Sequence, residues 1–110
     1  MMIGMAIASA ITMIAMQASI NAPRSAFSAC LKEVLPKAQG EKVAPDAFGP
    51  YAKSACGGKS ESLRNALVSF DVKNGIARSR ALADAEIQID EYYTMSAEQY
   101  QYRYGKMQPD

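Results

Sequence analysis

The stretch SESLRNALVSFDVKNGIARSRALADAEIQIDEYY, residues 60–93, decides the fold. In its first half Leu63, Ala66, Leu67 and Phe70 recur at intervals of three and four, with Lys59, Glu61, Arg64 and Asn65 outside that stripe. This is the period of an α-helix with one apolar face. Asn74-Gly75 follows, two residues tolerant of positive φ, which suits a helix C-cap. In the second half Leu82, Ala85, Ile89 and Tyr92 share a face, with Tyr93 and Tyr100 at its margin and Arg80, Asp84, Asp90, Glu91 and Glu98 opposite. Ile76 and Ile87 fall among those charges, as single exposed apolar residues ordinarily do. Ile87-Gln88-Ile89-Asp90 alternates locally like a strand, but the Ala-rich surroundings favour helix. Matched stripes on either side of a turn predict an antiparallel helical hairpin, with Leu63, Leu67 and Phe70 against Leu82 and Ile89.

Charge agrees with that hairpin. Residues 23–80 carry 10 basic and 5 acidic groups, whereas residues 81–110 carry 2 basic and 6 acidic. Folding back at Asn74-Gly75 brings Arg64 toward Asp84 and Glu86, and Lys59 toward Asp90. Exposed pairs of this kind contribute well under ~1 kcal/mol each, so they select the pairing more than they stabilise it.

Upstream, Phe27, Cys30, Leu31 and Val34 mark another helical face, which Leu35-Pro36 is expected to end. Residues 37–45 read as a polar loop. Asp46 is placed to cap a short helix carrying Phe48, Tyr51, Ala52 and Ala55, with Pro50 suited to its N1 position and Cys56-Gly57-Gly58 closing it. Cys30 and Cys56 both lie beside apolar stripes, as an inward-facing bridge requires. Their spacing is not that of a thioredoxin-type pair. A structural disulfide is the natural reading in an exported chain, and two buried free thiols the reading in a cytosolic one. Closing a loop of about 25 residues contributes roughly 3.5 kcal/mol in the chain-entropy account.

Downstream, Ser96-Ala97-Glu98-Gln99 has the pattern of a capping box, which predicts a break near Thr94 and a fresh short helix. Tyr100-Gln101-Tyr102-Arg103-Tyr104 alternates, leaving helix and strand both open for residues 99–105. Five of the six tyrosines, Tyr92, Tyr93, Tyr100, Tyr102 and Tyr104, fall in this region. Tyrosine offers large contact area at low entropy cost, so these residues are candidates for binding a protein partner or a second copy of the chain. A tail that folds back over its own helices is the alternative. Weak local basicity argues against stacking on nucleic-acid bases.

The first 22 residues are uncharged and contain 16 of the chain's 54 apolar residues. Ile3–Met16 has the length of a signal-peptide core and is short for a bilayer span of ~20 residues. Small residues follow at Ala18, Ser19 and Ala22. Cutting after Ala18 puts Met16 at the third position upstream; cutting after Ala22 puts Ile20 there and Pro23 directly behind the cut. Arg24, Lys32 and Lys37 lie on the C-terminal side, an arrangement that suits an uncleaved anchor. Residues 1–22 are therefore expected to be a signal peptide or an uncleaved membrane anchor, with an ordinary buried helix as the third option.

Length and composition limit the rest. A chain of 110 residues makes one domain. With no His, a histidine base or ligand is excluded, and two Cys cannot build a four-cysteine zinc site. A net charge of +1 supplies no global attraction to nucleic acid or an anionic membrane. Nucleophile-elbow, P-loop and dinucleotide motifs are absent. Cys56-Gly57-Gly58-Lys59-Ser60 only faintly resembles a phosphate-cradling loop, lacking the spacing and the preceding strand. Asp84, Glu86, Asp90 and Glu91 read as a solvated acidic face rather than a cation site.

The expectation is an all-α protein: a small helical bundle of three to four helices with an antiparallel helical hairpin and one disulfide, preceded by an apolar N-terminal segment. Residues 23–110 would form its single domain. The expected role is a small exported protein, periplasmic or secreted, acting by binding, without cofactor, metal, catalytic centre or nucleic-acid partner. It would meet a membrane only through residues 1–22 if these stay uncut. The alternative is a single-pass membrane-anchored accessory subunit of a membrane complex.

Overall fold

The computed structural model describes the backbone of residues 2–107 and the side chains of residues 19–104. Helix α1 spans Met2–Gly40, a 3-10 turn Pro45–Ala47, helix α2 Phe48–Lys73 and helix α3 Arg78–Met107. The fold is an all-α bundle with no strand among the described residues. Pairings between helices fix the topology. Cys30 meets Cys56 and Glu41 meets Tyr51, so α1 and α2 are antiparallel. Ser60 meets Tyr93 and Arg64 meets Glu86, which makes α2 and α3 the expected antiparallel hairpin. Arg24 reaches Gln88 at 3.5 Å, and Phe27 packs on Tyr92 and Tyr93, so α1 runs parallel to α3.

Two helices share one inward rhythm. Helix α2 buries Phe48, Ala52, Cys56, Ser60, Leu63 and Leu67. Helix α3 buries Ala81, Ala85, Ile89, Tyr93, Ser96 and Tyr100. The steps are four, four, four, three and four in both, so each buried line winds slowly around its helix. Phe27, Leu31, Val34, Leu35 and Ala38 of α1 complete the core, and Ile20 belongs to it as well.

The faces depart from expectation by one residue in several places. Leu82 is 39% exposed, and its neighbour Ala81 is buried instead. Tyr93 and Tyr100 stand at the centre of the α3 stripe, while Tyr92 is half-buried. Ala55 is exposed and Cys56 buried; Val68 joins the core although no stripe included it. Neighbouring residues differ by only 100° around a helix, and a helix packed against two others buries a wide arc. Which member of an adjacent pair points inward is then settled by what fits between the helices.

None of the three expected breaks occurs. Pro36 removes one backbone hydrogen bond, worth with its steric clash about 3 kcal/mol in a helix interior. Its ring is exposed, and so is Lys32, whose carbonyl loses that bond but keeps access to solvent. Val34, Leu35 and Ala38, buried on either side of Pro36, carry the helix on to Gly40. Gly57-Gly58 costs about 1 kcal/mol per glycine relative to alanine. The buried residues Cys56 and Ser60 on either side hold α2 continuous across it. Asp46 lies in the 3-10 turn and gives no side-chain cap, and Pro50 falls in the first turn of α2, where no amide donor is needed. At Thr94 the helix also continues. Ser96, the would-be cap, is buried in α3, and its Oγ has no hydrogen-bond partner among the described residues. Residues 99–105 are helical, which resolves the open choice there.

Two helices end in the same motif. Past α2, the Gly75 amide donates to the Val72 carbonyl at 3.1 Å and the Ile76 amide to the Asp71 carbonyl at 2.9 Å, with Gly75 at φ +90°. This is a Schellman cap, and glycine takes its left-handed position without strain. Past α1, Lys42 donates to Gln39 at 3.1 Å and Val43 to Ala38 at 3.0 Å, with Lys42 itself at φ 59°. No local signal marks that second cap, because Lys42 is an unfavoured residue for the position.

The expected signal peptide or anchor over residues 1–22 falls, up to residue 18, outside the described side chains. Among the described residues no helix is long and apolar enough to cross a membrane.

Candidate interaction surface

Cys30 and Cys56 are joined by a disulfide, their Cα atoms 5.9 Å apart, which ties α1 to α2 near the middle of the bundle. Around this tie the tyrosines divide into two groups. Tyr93 and Tyr100 belong to the core. Tyr93 packs edge-on against Phe27 at 5.1 Å, and its hydroxyl donates to Ser60 Oγ at 3.1 Å; Ser60 Oγ donates in turn to the Gly57 carbonyl at 3.0 Å. Tyr100 stacks on Phe48 at 4.4 Å, and its hydroxyl donates to the Val43 carbonyl. Both thus bury the ring while satisfying the polar end. Burial, reinforced by the neighbouring Tyr104, pushes the Tyr100 phenol above its ordinary value.

The remaining tyrosines of the cluster face outward to different degrees. Tyr92 is half-buried against Phe27 and borders a groove between α1 and α3. Tyr104 is half-buried beside Tyr100, with ring centroids 6.0 Å apart. Tyr102 is 65% exposed. The cluster that looked continuous in sequence is therefore split by the helix it lies on, since residues 100, 102 and 104 point in different directions.

Tyr102 lines up with two residues that the tyrosine count did not include. Ile87 is 58% exposed and Met95 is 63% exposed. The three are eight and seven residues apart, about two turns each, so they form one line along the outward side of α3. Asp90, Glu91, Thr94 and Glu98 flank them across shallow depressions. The three make an exposed apolar row bordered by Asp90, Glu91 and Glu98, with Arg103 near its end. Its sequence signal was the repeat of apolar residues at two-turn spacing on a face otherwise read as charged.

Other candidates come apart in the fold. The amides of Cys56-Gly57-Gly58-Lys59-Ser60 lie inside α2, so no loop of free donors exists to cradle a phosphate. Glu86 pairs with Arg64, as expected, and Asp84 lies 3.9 Å from Arg80. Lys59 makes no ion pair with Asp90 among the described residues. No group of three or more His, Cys, Asp or Glu able to hold a metal occurs among the described residues. The sixth tyrosine, Tyr51, donates to the Glu41 carboxylate and joins the end of α1 to the start of α2. That hydrogen bond, then burial and the charge of Glu41, push its phenol up to about 12. Compared with known protein families, curated proteins and solved structures, the chain matches none.

Proposed function

We propose that this chain is a small exported protein, periplasmic or secreted, that acts by binding a protein partner rather than by catalysis. The observation that carries the reading is the Cys30–Cys56 bridge, with Cys56 fully buried. A covalent tie built into so small a core persists in oxidising compartments and is rarely kept in reducing ones. The exposed row of Ile87, Met95 and Tyr102, with half-buried Tyr92 beside Met95, is the surface offered to the partner. Thiol accounting tests the compartment: the full chain is expressed in an exporting host, fractionated, alkylated without reduction and weighed. Recovery in the exported fraction with neither thiol alkylated is the expected result. Recovery in the cytosol with both thiols alkylated overturns the reading.

A second reading, the membrane-anchored accessory subunit, has one observation in its favour. Helix α1 is unbroken from Met2 to Gly40, so the apolar segment and the core-forming segment share one helix. The same fractionation separates the two, because an anchored chain stays full length and sediments with membranes.

A further inference from the structure

On the export reading the apolar segment is cut from the folded part, and the small residues that follow it offer two bonds, after Ala18 and after Ala22. The fold distinguishes them. Ile20 is 7% exposed and belongs to the hydrophobic core, so a cut after Ala22 removes a core side chain from the mature protein. That cut also places Pro23 directly after the bond. A cut after Ala18 keeps Ile20; neither cut has a small residue at the third position upstream, Met16 standing there for one and Ile20 for the other.

We infer that processing hydrolyses the Ala18–Ser19 peptide bond and that the mature chain begins Ser19-Ile20-Asn21. The inference rests on the export reading above. Water adds across the amide: the leaving segment ends in the Ala18 carboxylate, and Ser19 gains the free amino group. The catalyst is the peptidase of the export machinery, and no other reactant is consumed.

The new start also suits the helix. In the uncut chain Pro23 lies inside α1, where it can donate no backbone hydrogen bond. In the mature chain it falls close to the helix start, where a missing donor costs least. The new positive charge sits on Ser19, four residues ahead of Pro23. A cut after Ala22 would instead put it on the Pro23 nitrogen, at the positive end of the helix dipole.

N-terminal sequencing of the exported protein tests this, with Ala18→Leu and Ala22→Leu as paired variants of the full chain. The expected result is a start at Ser-Ile-Asn, at least a tenfold loss of processed product in Ala18→Leu, and normal processing in Ala22→Leu. A start at Pro-Arg-Ser, or a block by Ala22→Leu and not by Ala18→Leu, overturns the boundary while leaving export intact. A wild-type chain that remains full length in membranes overturns the export reading and the boundary with it. Ile20→Ala is expected to lower the urea midpoint of the exported protein, and an unchanged midpoint overturns the inference.

Discussion

The two ends of the bundle solve the same packing problem with different residues. Near the α2–α3 turn the buried residues are Leu67 and Val68 on α2 and Ala81 and Ala85 on α3, and Val72 and Leu82 remain partly exposed. At the far end it is made by rings: Phe27 with Tyr92 and Tyr93, and Phe48 with Tyr100 and, beyond it, Tyr104. The inward spacing of α2 and α3 is identical along both, so the difference lies in side-chain size alone. Alanine buries little area per residue, whereas each ring buries a great deal and brings a hydroxyl that needs a partner. Ser60 and the Val43 carbonyl supply those partners. The disulfide lies within the aromatic region, between the Phe27–Tyr93 and Phe48–Tyr100 contacts, and ties α1 to α2 there.

The comparison can be broken most severely at the aromatic end. Tyr100→Ala is expected to cost about 3–5 kcal/mol in urea unfolding, since it removes the ring stacked on Phe48 and leaves the α1–α2 connection without its hydroxyl contact. A loss no larger than that of Leu67→Ala would mean the ends are energetically alike. Replacing both cysteines by serine comes next, at roughly 3.5 kcal/mol, because the unfolded chain regains the freedom of the open loop. Far-ultraviolet circular dichroism and tyrosine fluorescence should report one coincident transition, and separated transitions would show that the two ends fold independently.

Leu67→Ala, at the alanine-rich end, is expected to cost about 2–3 kcal/mol, and a change below ~0.5 kcal/mol would remove Leu67 from the core. Tyr93→Phe keeps the ring and deletes only the hydrogen bond to Ser60, so a loss of about 1 kcal/mol is expected. A double-mutant cycle with Ser60→Ala should show coupling of similar size.

The smallest effect is the alkaline one. The phenols of Tyr51 and Tyr100 ionise above the ordinary value of 10.0, at about 12 for Tyr51, so the fold favours their neutral forms. Their contribution is fully present below the unfolded value and is lost as pH rises through the folded values. Stability should therefore decline through the interval from 10 to 12. A tyrosinate absorbance titration should show a step near 12, and Tyr51→Phe should remove it. A titration that Tyr51→Phe leaves unchanged at its alkaline end would contradict the Tyr51–Glu41 contact.

How much of this was readable depends on the range of the force concerned. The hairpin was legible because its signals are local and agree: period, charge pairing and Asn74-Gly75, whose glycine takes the left-handed position of the cap. The disulfide was legible because both cysteines flank apolar stripes. The helix ends were not. Pro36, Gly57-Gly58 and the Ser96 capping box are each worth about 1–3 kcal/mol locally, and burial of Val34, Leu35 and Ala38, of Cys56 and Ser60, and of Tyr100 outweighs them. The cap at Lys42 had no legible sign, since its geometry is imposed by Val43 and Tyr100 closing over it.

The amino-acid sequence by itself determined that this is a helical chain with a turn at Asn74-Gly75, one possible cysteine bridge and a sharply segregated apolar start. Only the tertiary structure decided which residue of each adjacent pair points inward: Ala81 over Leu82, Tyr93 over Tyr92, Cys56 over Ala55. It likewise decided that Ile87, Met95 and Tyr102 share one exposed line. The physical reason is that periodicity fixes a face only to within about one residue's 100° of arc, and the shape of the neighbouring helices selects within that arc.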